Sequence, residues 1–80
     1  MQKLTKDSIG KFYLDASGKE YLCSRLVDGC CHYPYYLLLD VTDASLYPYN
    51  SSGTRLDHKL NQVQDGSTTL IKEVTNGEGA

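Results

Sequence analysis

The chain has 80 residues, enough for one domain and too few for a two-domain enzyme. Eight lysines and arginines against ten aspartates and glutamates leave a formal net charge of −2, which argues against unaided attraction to nucleic acid phosphates or anionic lipid. At 40% hydrophobic and 22% charged the composition is that of a folding domain with a thin core, and its seven tyrosines against one phenylalanine and no tryptophan suit both such a core and a contact surface.

Residues 1–9 read as an N-terminal arm, and 10–74 as a single domain. Met1 to Gly10 carries Lys3 and Lys6 without an apolar run, so no secretory leader is expected. Residues 10–27 then alternate around Asp15-Ala16-Ser17-Gly18. An aspartate opening such a turn accepts backbone hydrogen bonds and a glycine closing it takes the left-handed position, so this segment predicts a β-hairpin. Asp28-Gly29 makes a break. The run from Tyr33 to Val41 follows, rich in Tyr, Leu and Val, and it predicts a strand buried on both faces with Pro34 at its start.

After a turn at Thr42-Asp43-Ala44, residues 45–49 predict a short strand that Pro48 marks as an edge. Asn50-Ser51-Ser52-Gly53 repeats the turn chemistry of residues 15–18, with Tyr47 standing where Phe12 stands before the first turn. Leu56, Leu60 and Val63 recur at helical spacing, so residues 55–64 form a short helix or turn, or a strand with polar interruptions. Asp65-Gly66 ends that segment, residues 68–74 alternate as a last strand, and 75–80 read as a frayed tail. Five short strands separated by Gly-bearing turns predict an all-β or mainly β domain, a small five-stranded antiparallel barrel of SH3-like or OB-like form.

The cysteine pattern carries little chemistry by spacing alone. Cys30-Cys31-His32, with Cys23 and His58, could supply zinc ligands only if the fold gathered them. Adjacent cysteines on extended backbone point apart, so structural thiols, reduced in a cytosol, are expected, with no metal and no cofactor. No orienting carboxylate accompanies the cysteines and histidines, and no closely spaced glycines cradle a phosphate, so the chain is read as a non-enzyme. Asp40, Asp43, Asp57 and Asp65 fall in separate turns and read as turn caps. Tyr33, Tyr35, Tyr36, Tyr47 and Tyr49 cluster in one stretch, where half of them should face outward on alternating strands. These five tyrosines, with the acidic surface of Asp40, Asp43 and Asp57, are the expected partner-binding residues. The longest apolar stretch is far shorter than the roughly 20 residues of a membrane span, so no membrane association is expected.

Gly10-Lys11 opening a strand, the Ser17-Gly18-Lys19 turn, the Asp28-Gly29 break, Tyr33-Pro34, the second aromatic hairpin ending at Gly53 and the closing Leu70-Ile71-Lys72-Glu73-Val74 together resemble small uncharacterised proteins of bacteriophages and prophages. The likeness covers residues 9–74 and departs from that pattern at Ala16 to Lys19 and at the cysteine pair. It implies an accessory phage protein acting on host machinery. With the acidic charge and the lack of a leader or apolar span, the expected function is that of a cytoplasmic binding protein that inhibits a host protein, such as a component of a CRISPR-type antiviral defence complex, without direct nucleic acid binding and with a homodimer as a further option. A sponge for a nucleotide signal, with tyrosines on the base and Arg25 or Arg55 on a phosphate, and a structural phage component are the alternatives.

Overall fold

Asp15 closes the first hairpin with its own side chain, in a computed structural model that describes residues 2–74. Its Oδ1 accepts hydrogen bonds from the backbone N–H of Ser17 at 2.9 Å and of Lys19 at 3.0 Å, and Gly18 takes φ +91°. Strand β1 (Phe12–Asp15) thereby turns back as β2 (Glu20–Val27), as the sequence predicts. Asn50 does the same work in the second turn. Its Oδ1 accepts from the N–H of Ser52 and Thr54, both at 3.0 Å, with Gly53 at φ +88°.

A third copy stands at Asp57. Its Oδ1 accepts from the N–H of Lys59 at 2.8 Å and of Asn61 at 3.0 Å, but the left-handed residue is Leu60, at φ +66°. Residues 55–64 are therefore a tight hairpin-like turn held by the isolated bridges Tyr49↔Arg55 and Leu56↔Gln62, not a helix. The helical spacing of Leu56, Leu60 and Val63 yields to the turn chemistry of Asp57. Asp40 accepts from Thr42 N–H at 2.8 Å, Asp43 from Ser45 N–H at 2.9 Å and Asp65 from Ser67 N–H at 3.0 Å, so each is a turn cap as expected.

Strand β3 (Tyr35–Asp40) starts directly after Pro34 and pairs with β2, while β4 (Leu46–Tyr49) pairs with β3 as an edge containing Pro48. Strand β5 (Leu70–Val74), preceded by a 3-10 turn at Gly66–Thr68, pairs with β1. All five strands are antiparallel neighbours in one sheet of order β4-β3-β2-β1-β5, so the fold is mainly β. Among the described residues β4 and β5 share no ladder, so the sheet is open rather than a closed barrel. The 75–80 tail lies outside the described residues.

Two register shifts bend the sheet. One passes over Ser24 in β2 and one over Ile71 in β5, each an extra residue that increases local twist. The concave face carries Tyr13, Tyr21, Cys23, Tyr36, Leu38, Tyr49 and Leu70, all buried. Leu4 from the N-terminal arm completes this core. The arm is fastened by Gln2 N–H to Leu70 O at 2.9 Å and Leu4 N–H to Ser51 O at 2.8 Å, and Leu70 N–H donates to Gly53 O at 2.9 Å.

Gly53 sits where three segments meet. A Cβ there would collide with the backbone carbonyl of Gln2, whereas a Cβ on Gly18 would meet nothing within 4 Å. Both glycines have positive φ, which costs an L-residue about 1–2 kcal/mol. Gly18→Ala should therefore destabilise the domain by about that amount, and Gly53→Ala by at least twice as much because the arm must also shift. Urea titration of the two variants checks this, and equal losses would contradict the packing of the arm against Gly53.

Candidate functional site

Four of the seven tyrosines are buried. Tyr13, Tyr21 and Tyr49 are at most 1% exposed and Tyr36 is 6% exposed. Tyr49 donates its hydroxyl to Thr68 O at 2.7 Å, which fastens β4 to the turn before β5. Tyr47 is half-buried beneath Arg55, whose guanidinium carbon lies 3.9 Å from the ring centroid. Of the five tyrosines expected at a partner surface, then, Tyr36 and Tyr49 belong to the core and Tyr47 is engaged within the chain. Tyr33 is 92% exposed. Tyr35 is half-buried on the convex face of β3, its ring 5.2 Å from that of His32.

The acidic residues do not form one face. Asp40 is 1% exposed, and with Asp43 it closes the turn between β3 and β4, while Asp57 closes the turn after Arg55. Their carboxylates are committed to backbone amides. The hydrogen bond from Ser45 N–H holds Asp43 below the usual carboxylate range, and that from Asn61 N–H does the same for Asp57.

Arg55 is likewise occupied. Its Nη2 donates to the Tyr21 hydroxyl at 2.9 Å, and that hydroxyl donates to Asp15 Oδ2 at 2.9 Å. The guanidinium also stands within 6 Å of the Tyr21 and Tyr49 rings, a cation–π arrangement. Its Nη2 and its face are thus engaged within the chain.

The convex face of the sheet has a different chemistry. Phe12 pairs with Leu22, Leu22 with Leu39, Leu39 with Leu46, and Phe12 on its other side with Val74. Directly opposed residues share a face, so these five side chains form one apolar row across all five strands. Leu46 is 53% exposed, the other four are half-buried, and none belongs to the core cluster. Glu20, Arg25 and Lys72 occupy the same face beside Leu14 and Leu37, giving the row a charged border. The strand expected to be buried on both faces is therefore buried on one: Tyr36, Leu38 and Asp40 are covered, while Tyr35, Leu37 and Leu39 are half-covered. The leucine run in the sequence signals this second face, but not that the chain itself leaves it half-bare.

A cavity of about 550 Å³ opens at the far end of β3, walled by Cys30, His32, Tyr33, Tyr35, Leu56 and Leu60 among others, with no lysine or arginine in its lining. Cys30 and Cys31 are exposed free thiols with their sulfurs 3.1 Å apart, whereas Cys23 is buried in the core. Among the described residues no three His, Cys, Asp or Glu side chains are grouped so as to hold a metal ion.

Asp15 gives the site region a pH signature. Burial pushes its pKa up, but hydrogen bonds from Ser17, Tyr21 and Lys19 outweigh burial and leave it below the ordinary value of 3.8. A carboxylate with a depressed folded pKa contributes stability above its unfolded value and loses it as pH falls through the lower folded value. Asp15→Asn should thus be less stable than the parent at neutral pH by about 1–2 kcal/mol, with the gap narrowing below about pH 4. Thermal melts across that range check it, and a gap constant down to about pH 2 would contradict the assignment. No protein-family model, no curated protein and no solved structure matches this chain.

Proposed function

We propose that this chain is a non-enzymatic binding protein that docks a second protein on the convex face of its sheet. The apolar row Phe12, Leu22, Leu39, Leu46 and Val74 is the observation that carries this reading. A contiguous apolar stripe with a charged border is the anatomy of a protein interface, and a strand with apolar side chains on both faces is completed when a partner covers the second one. The net charge of −2 favours a partner whose own rim is basic, such as a nucleic-acid-handling protein. In the phage setting that the sequence resembles, the partner is a host defence protein held inactive in a host cytoplasm by stoichiometric occupation of its surface. The curled sheet is an opened form of the SH3-like or OB-like barrel, its edges drawn together at one end by the Gly53–Leu70 and Tyr49–Thr68 hydrogen bonds.

Substituting Leu39 and Leu46 together by Gln removes two apolar anchors from the row without touching the core. Each anchor is worth about 1 kcal/mol when half of its surface is buried by a partner, so capture of a host protein, identified by mass spectrometry, should weaken about thirtyfold with the thermal transition retained. Tyr33→Ala, away from the row, should leave capture intact. Unchanged capture by the double variant, or a loss with Tyr33→Ala alone, would move the interface to the tyrosine loop. Sedimentation of the free protein as a dimer that the Leu39 and Leu46 substitutions dissociate would instead assign the face to a second copy of this chain.

A further inference from the structure

The loop between β2 and β3 holds a feature that the binding reading leaves unused. Cys30 and Cys31 are adjacent in sequence, both exposed, and their sulfurs lie 3.1 Å apart in mutual hydrogen-bond contact. Adjacent cysteines on extended backbone would point to opposite sides, but the turn at residues 30–32 brings these two thiols to the same side. They border the cavity that Tyr33, Tyr35 and Leu60 wall, so a small molecule entering that cavity meets both sulfurs together.

We propose that Cys30 and Cys31 form a dithiol modification site that low-molecular-weight disulfides oxidise reversibly to an internal disulfide between the two neighbours. The Cys30 thiolate attacks the incoming disulfide, forming a mixed disulfide and expelling one thiolate. The Cys31 thiolate then attacks the Cys30 sulfur, closes the Cys30–Cys31 bond and expels the second thiolate. Two protein thiols are oxidised to one disulfide, the reagent disulfide is reduced to two thiols, and the two protons pass to the released thiolates. Closure needs the sulfurs to approach from 3.1 Å to about 2.05 Å, a movement within reach of exposed side chains.

Three physical facts make the site selective and labile. Cys23, the third thiol, is buried with its pKa pushed up to about 11 by burial, so it stays protonated and sheltered. In the adjacent pair the hydrogen bond that the Cys31 thiol shares with Cys30 pushes the Cys31 thiol up, which separates a first nucleophile from a resolving thiol. Consecutive Cα atoms stand about 3.8 Å apart, shorter than the roughly 4.4–6.8 Å of ordinary disulfides, so the bond is strained and easily reduced. A reducing glutathione pool keeps the site open and an oxidising shift closes it. Closure draws in the loop that carries Tyr33 and alters one wall of the cavity.

Incubation of the full chain with oxidised glutathione, followed by intact mass and thiol titration, tests the site without any partner. The monomer should lose the mass of two hydrogens and retain one free thiol of its three, and peptide mapping should place the link between residues 30 and 31. Excess reduced glutathione should restore all three thiols. Cys31→Ser should stop at a single stable glutathione adduct on Cys30, since its resolving thiol is gone. A wild-type chain that accumulates glutathione adducts, forms disulfide-linked dimers or does not react would overturn the proposal, as would an internal bond that reduced glutathione cannot open. The binding face is read separately, so a failure here leaves the docking assignment untouched.

Discussion

One guanidinium joins the parts of this domain that the sheet alone does not. Arg55, bridged to Tyr49 after the Asn50 turn, stacks on Tyr47, reaches the rings of Tyr21 and Tyr49, and hands a hydrogen bond through the Tyr21 hydroxyl to Asp15. Asp15 is the residue that closes the β1–β2 turn, so the charge on Arg55 and the geometry of a distant hairpin are linked through a single phenol. The arrangement is costly as well as useful. Arg55 Nε is buried without a hydrogen-bond partner, a loss that ring-face attraction and the charge-assisted bond to Tyr21 offset.

That constraint explains the division of the sheet into two faces. With no long helix or second sheet in the described residues, the concave side is closed by small pieces: Leu4 of the arm, the Arg55 stack and the inward tyrosines. Such a cover suffices for one face only. Among the described residues the convex row is left half-buried. The half-bare row thus follows from how little of the chain is left to cover the second face of the sheet among the described residues.

The sequence is most readable where backbone chemistry is local. Asp15, Gly18, Asn50 and Gly53 announce their turns by residue type, Pro34 precedes its strand and Pro48 marks β4 as an edge, as expected. The third turn is legible at Asp57, which reads as a turn cap, but its extent is not, because Leu60 stands in the left-handed position that glycine would mark. The shift at Ser24 leaves no trace in the residue pattern. The tyrosine cluster divides for a tertiary reason: Tyr33 and Tyr35 stay on the outside, while the Thr68 carbonyl, distant in sequence, gives the Tyr49 hydroxyl a buried partner and Arg55 covers Tyr47. Only the assembled register shows that Phe12, Leu22, Leu39 and Leu46 are neighbours.

The central claim is that Arg55 organises the covered face through Tyr21, and a double-mutant cycle of Arg55→Met and Tyr21→Phe measures it directly by urea unfolding. Arg55→Met should cost about 2–3 kcal/mol, with a coupling between the two positions of about 1–2 kcal/mol. Additive effects, together with an Arg55→Met variant within about 0.5 kcal/mol of the parent, would show that the guanidinium merely rests on a core that forms without it.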